Sequence, residues 1–92
     1  MRFLAELYLP NGGSGLAELA RRAEGGARPV SGRDGAVRFL SAIYLPDDES
    51  CFVIYEAESV DCVLAAGTLA GLEFDHVAPI SVWKADWPQT SH

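Results

Sequence analysis

Ninety-two residues, 49% apolar and 22% charged, suit a single globular domain (residues 1–92) and are too apolar for a disordered chain. A domain this short buries only roughly 60 to 65 % of its unfolded surface, so a partner subunit is a natural source of further stability. A formal charge of −6 with no stripe of Lys or Arg excludes nucleic acid and anionic membrane surfaces as partners.

The chain opens with RFLAELYL, residues 2–9. With one basic residue, an interrupting Glu6 and the early Pro10, it is expected to be the first strand rather than a secretory leader. Period-two alternation predicts Phe3, Ala5, Leu7 and Leu9 on a core face, with Arg2, Leu4, Glu6 and Tyr8 opposite. NGGSG then breaks the strand, and Ser14 is expected to cap a helix whose Leu16, Leu19, Ala20 and Ala23 share one side and which ends at Glu24 and Gly25. EGGARPVSGRDG, with four glycines and a proline, is expected to be an exposed loop.

Residues 37–58 hold two runs of β-branched and aromatic residues around the polar turn LPDDES, the pattern of a β-hairpin. Alternation sets Val37, Phe39, Ser41 and Ile43 against Arg38, Leu40, Ala42 and Tyr44, and Cys51, Val53 and Tyr55 against Phe52, Ile54 and Glu56. Neither strand is polar on one side, which is how strands covered on both faces read. Ser59 is expected to cap a second helix with Val60, Val63, Leu64 and Leu69 inward and Gly67 allowing close approach. The last strand, HVAPISVW, contains Pro79, which cannot donate to a ladder and belongs at a sheet edge. Residues 84–92 follow no helical or strand period and are expected to be irregular, with Trp87 packing as a clip on the domain or on a partner subunit.

The order βαββαβ specifies an α+β, ferredoxin-like fold: a four-stranded antiparallel sheet in the order 4-1-3-2 with two helices on one face, of the dimeric α+β type. The other face then needs a cover, and Leu4, Tyr8, Leu40, Tyr44 and Tyr55 are its expected apolar members. A second copy related by a two-fold axis is the most economical one, which predicts a sheet-to-sheet homodimer. No apolar run reaches the roughly 20 residues that span a bilayer. Cys51 and Cys62 form no secreted disulfide framework and fit no zinc spacing, which points to a reducing cytoplasm.

Candidate chemistry is sparse. Glu6 and Tyr8 leave a central strand toward the uncovered face, with Glu56 near the end of its neighbour. In an apolar cavity such a carboxylate would serve as a base, with Tyr8 or Tyr55 as donor, because desolvation raises a carboxyl pKa. The competing reading pairs Glu6 with a cation such as Arg38 and makes Tyr8 an interface side chain. His76 beside Asp75 and the distant His92 do not make a converging ligand set, so no metal site is assigned. Asp47, Asp48 and Glu49 lack the spacing of a calcium loop and are read as a solvated hairpin tip. NGGSG lacks the Lys-Ser/Thr pair of a phosphate loop, and the two cysteines lack an activating histidine.

FLAELYLP, VRFLSAIYLPDDESCFVIYEAES and residues 71–77, GLEFDHV, resemble the domain-of-unknown-function 4242 family, which is described as nickel-binding-protein-like. Glu6, Leu9 and Pro10 match its opening FLIERxLP, Asp47 and Asp48 its acidic turn, and Cys51 or its neighbour, Tyr55 and Ala57 its third strand, YCxYxAPxxE. The departures fall on the polar positions. The family's serine-tyrosine step lies at Ala42 and Ile43, its helix-two histidine at Ala66, and the first-strand and first-helix histidines of nickel-binding relatives at Leu7, Tyr8, Arg21 and Arg22. Nickel takes imidazole and oxygen ligands, so no ligand carries over. The resemblance implies the fold, the dimer and a sheet face that is oilier here than in its relatives.

These readings lead to a cytoplasmic, dimeric, non-catalytic module without a cofactor. It is expected to bind an apolar small molecule or a partner protein on a face around Leu4, Glu6, Tyr8, Arg38, Leu40, Tyr44, Tyr55 and Glu56. The alternatives are a small cofactor-free isomerase, cyclase or oxygenase using Glu6 with Tyr8 or Tyr55, and residual nickel binding.

Overall fold

Strand alternation and helical spacing build one sheet and two helices. The computed structural model describes residues 1–30 and 36–83. In β1 (Arg2–Tyr8), Phe3, Ala5 and Leu7 are buried while Arg2, Leu4 and Glu6 stay half-buried, as period two requires. A single 3-10 turn over Asn11–Gly13 leads into α1 (Leu16–Val30), followed by β2 (Val37–Leu45), β3 (Ser50–Ala57), α2 (Val60–Ala70) and β4 (His76–Ile80). The strands pair antiparallel in the order β2-β3-β1-β4, the expected 4-1-3-2 read from the other edge, and the fold is ferredoxin-like α+β. Pro79 lies on the edge strand β4, where its missing N–H is harmless. Both helices pack on one face, over Phe3, Ala5, Leu7, Cys51, Val53 and Tyr55. No helix among the described residues is long and apolar enough to cross a membrane.

Ser59 caps α2 as expected, its Oγ accepting from the Cys62 N–H at 3.3 Å. At the other end Gly71 (φ 73°) closes the helix, and the Leu72 N–H donates to the Gly67 carbonyl at 2.9 Å, a Schellman closure. Ser14, by contrast, does not cap α1. It closes the 3-10 turn by donating its N–H to the Asn11 carbonyl (3.2 Å), and Gly15 (φ 92°) takes the cap position, its carbonyl accepting from Leu19.

Three further expectations are corrected. The first helix does not stop at Glu24 and Gly25 but runs to Val30, because Gly26, Ala27 and Val30 continue the buried stripe of Leu19 and Ala23. α1 and α2 approach so closely that a Cβ at Gly26 would overlap the Ala66 carbonyl oxygen and lie 2.8 Å from the Ala70 Cβ. That packing outweighs the roughly 1 kcal/mol that a mid-helix glycine costs, and Pro29, in the last turn, removes only one helical bond. Residues 31–35 of the expected loop lie outside the described residues, as does the tail 84–92 with Trp87 and His92.

In α2 the buried side is Cys62, Val63, Ala66, Gly67 and Ala70, while Val60, Leu64 and Leu69 are exposed. Close approach selects the small residues: the edge of the Phe74 ring fills the space that a Cβ at Gly67 would need. In β2 a bulge between Phe39 and Ser41 reverses the alternation, which turns Ala42 and Tyr44 toward the helices and Ser41, Ile43 and Leu45 away from them. A Cβ at Gly13 would meet the Tyr44 ring at 2.7 Å, so the turn before α1 rests directly on Tyr44.

Candidate functional site

The uncovered face of the sheet is a grid, with strands about 4.8 Å apart and same-face residues about 7 Å apart along each strand. Its first row is Arg38, Glu56, Arg2 and Ile80; its second is Ser41, Ile54, Leu4 and Ala78. The third row is Ile43, Phe52, Glu6 and His76, and the fourth Leu45, Ser50 and Tyr8. Apolar side chains therefore occupy the middle and the β2–β3 half, with Ile43 50% exposed, and polar groups lie at both ends. Leu40, displaced by the bulge, joins Arg2, Ser41, Ile54 and Val82 around a shallow hollow of about 360 Å³. Trp83, expected to end the last strand, lies beyond it and is 87% exposed.

Leu4, Glu6, Tyr8, Leu40 and Glu56 fall on this face as expected. Arg38 stands in register with Glu56 at the rim and lines a groove between α1 and β2 with Phe39 and Glu24. Glu56 is held by other cations: its carboxylate accepts from the Arg2 Nε at 3.1 Å and from the amino terminus at 3.0 Å. The hydrogen bond from the amino terminus, then that from Arg2, keeps its carboxyl below the usual carboxylate range.

Tyr44 and Tyr55 are not on this face. Tyr44 is turned by the bulge, and Tyr55 follows its own alternation with Cys51 and Val53 into the core, where its ring meets Phe39 and Phe74 edge-on at 6.4 and 6.3 Å. Tyr55 is fully buried, and burial pushes its phenol up to about 12. Among the described residues neither the Tyr44 nor the Tyr55 hydroxyl has a hydrogen-bond partner. Tyr55 therefore cannot act with Glu6, which projects from the opposite side of the sheet.

Tyr8 shares the open face with Glu6, but its hydroxyl donates to Glu49 Oε1 at 3.0 Å, and that hydrogen bond raises its pKa. The Glu6–Arg38 pair is not formed either, since two strand spacings and two rows separate them. Cys51 and Cys62 are buried, and burial pushes the Cys51 thiol up, away from the thiolate a nucleophile needs. Among the described residues no group of three or more His, Cys, Asp or Glu side chains is placed to hold a metal ion. His76 faces Glu6 across the β1–β4 ladder.

The chemistry available on the face is thus apolar contact with one carboxylate set into it. Sequence reasoning missed Phe52 and Ile54 as members, although their alternation with Cys51 and Val53 marks them. It missed Ile43 and Leu45 because nothing local announces the bulge.

No family model matches the chain, and no curated protein matches it. Among solved structures the chain is similar to that described as "Crystal structure analysis of SCO4226 from Streptomyces coelicolor A3(2)", with a TM-score of 0.74 and 15% identity. The match covers 91% of this chain and 100% of that one, and at this identity it shows a shared fold.

Proposed function

We propose that the protein is a small homodimeric binding module, working in the cytoplasm, in which the open sheet faces of two copies enclose an apolar small molecule. The observation that carries this reading is the contiguous apolar patch of Leu4, Leu40, Ile43, Phe52, Ile54 and Ala78 on a sheet face that neither helix covers. Monomers seldom leave so connected a patch to water, and an isologous contact buries it twice for one set of residues. The bulge strengthens the reading, because it brings Ile43 and Leu45 to the same side. The resemblance to the domain-of-unknown-function 4242 family agrees with a dimer, while its nickel-binding positions are filled here by Leu7, Tyr8, Arg21, Arg22 and Ala66, so the relatives' metal site is read as lost.

Light scattering and native mass spectrometry on the purified protein at micromolar concentration test the proposal. The expected result is a dimer that retains or accepts a hydrophobic guest, and that Ile54→Asp converts to a folded monomer. A wild-type monomer at that concentration overturns the proposal.

A further inference from the structure

The open face carries a carboxylate, that of Glu6, which no described residue answers. Glu6 sits half-buried in the third row between Phe52 and His76, with Leu4 one row away, and its carboxylate makes no hydrogen bond or ion pair among the described residues. The other acids of the face are engaged: Glu56 by Arg2 and the amino terminus, and Glu49 by the Tyr8 hydroxyl. Arg2 stands two rows from Glu6 and already donates to Glu56. A carboxylate set in an oily surface gains most from a cation brought there by a ligand, because covering the face with anything apolar alone would strip its water without replacement.

Resting on the reading that this face binds a guest, we infer that the guest is a cationic amphiphile: an apolar body bearing a primary amine, with the ammonium at Glu6. The body would lie over Leu4 and Ile54 into the hollow beside Leu40, a span of about 12 Å for two strand spacings across and one row along. The ammonium donates to the Glu6 carboxylate, and no bond is made or broken. An anionic head group is disfavoured at the same position by Glu6 itself and by the chain's net charge of −6.

Calorimetric titration of the full chain with decylammonium, decanol and decanoate, each below its micelle concentration, separates the contributions. Decylammonium is expected to bind about tenfold or more tighter than the other two, Glu6→Gln to erase that preference, and Glu6→Lys to transfer it to decanoate. Equal binding of all three probes, unchanged in Glu6→Gln, overturns the amine assignment and leaves the apolar face as the binding surface. Failure of every probe to bind overturns this inference together with the proposed function beneath it.

Discussion

On the helix side of the sheet, Ala5, Val53, Cys51 and Tyr55 are wholly shut off from solvent, while on the other side their strand neighbours Leu4, Glu6, Phe52 and Ile54 keep part of their surface in water. The two sets alternate along the same β1 and β3, in one register. Strand geometry therefore sorts residues between faces but does not decide which face is sealed. That depends on where the helices land, and two helices cover one side only. The open side is the one our proposal assigns to binding, and its apolar centre with polar ends is what distinguishes it from an ordinary solvated face.

The sharpest way to break this comparison is to place the same charge on each side. Val53→Asp buries an unpaired carboxylate under both helices and is expected to cost more than about 4 kcal/mol, leaving a chain that circular dichroism reports as unfolded. Ile54→Asp, one residue along, is expected to keep the melting transition and to change only the oligomeric state. If both variants unfold alike, the two faces are not different in kind.

A smaller effect tests the sealed side alone. Gly26→Val inserts a side chain against the Ala66 carbonyl and Ala70 where α1 meets α2, and denaturant unfolding should register a loss of about 3 kcal/mol. Substitution of the exposed Gly25, where a Cβ meets nothing within 4 Å, should by the same measurement be neutral or mildly stabilising.

Tyr55 offers a subtler probe of the sealed side. Its hydroxyl is buried without a partner among the described residues, so Tyr55→Phe is expected to be neutral or to stabilise by about 1 kcal/mol near neutral pH. Burial raises the folded phenol to about 12, against an ordinary value of about 10. The preference for the neutral phenol is therefore fully kept below about pH 10 and is lost as pH rises through about 12, a change of about 3 kcal/mol that Tyr55→Phe should remove from the alkaline limb of the stability curve.

Glu56 provides the mildest test and belongs to the open side. Its carboxyl is lowered in the folded chain, so its contribution is present above the ordinary carboxyl value and lost as pH falls through the lowered one. Glu56→Gln should lower the melting temperature slightly at neutral pH and match the wild type once both are measured in acid. A difference that persists in acid would assign the effect to packing and not to charge.

Much of the fold is legible in local pattern. The alternation of Phe3, Ala5 and Leu7, the Ser59 cap, the polar hairpin turn and the edge position of Pro79 each follow from one residue's geometry and its near neighbours. Half of the candidate face is equally legible, since Leu4, Glu6 and Tyr8 need only the period of β1. Tyr55 is where the expectation departs from periodicity: counted among the apolar members of the open face, it shares the parity of Cys51 and Val53 and lies with them in the core.

By itself the sequence determined the order of elements, the pairing of strands and the parity of β1 and β3, because these depend on side chains a few residues apart. Tertiary structure alone decided that α1 continues through Gly25 and Gly26, that the small side of α2 faces inward, and that the bulge after Phe39 exchanges Tyr44 for Ile43 and Leu45 on the open face. The first two outcomes depend on how closely two elements remote in the chain can approach. That distance is set by the packing of both surfaces together, and neither surface carries a local mark of it.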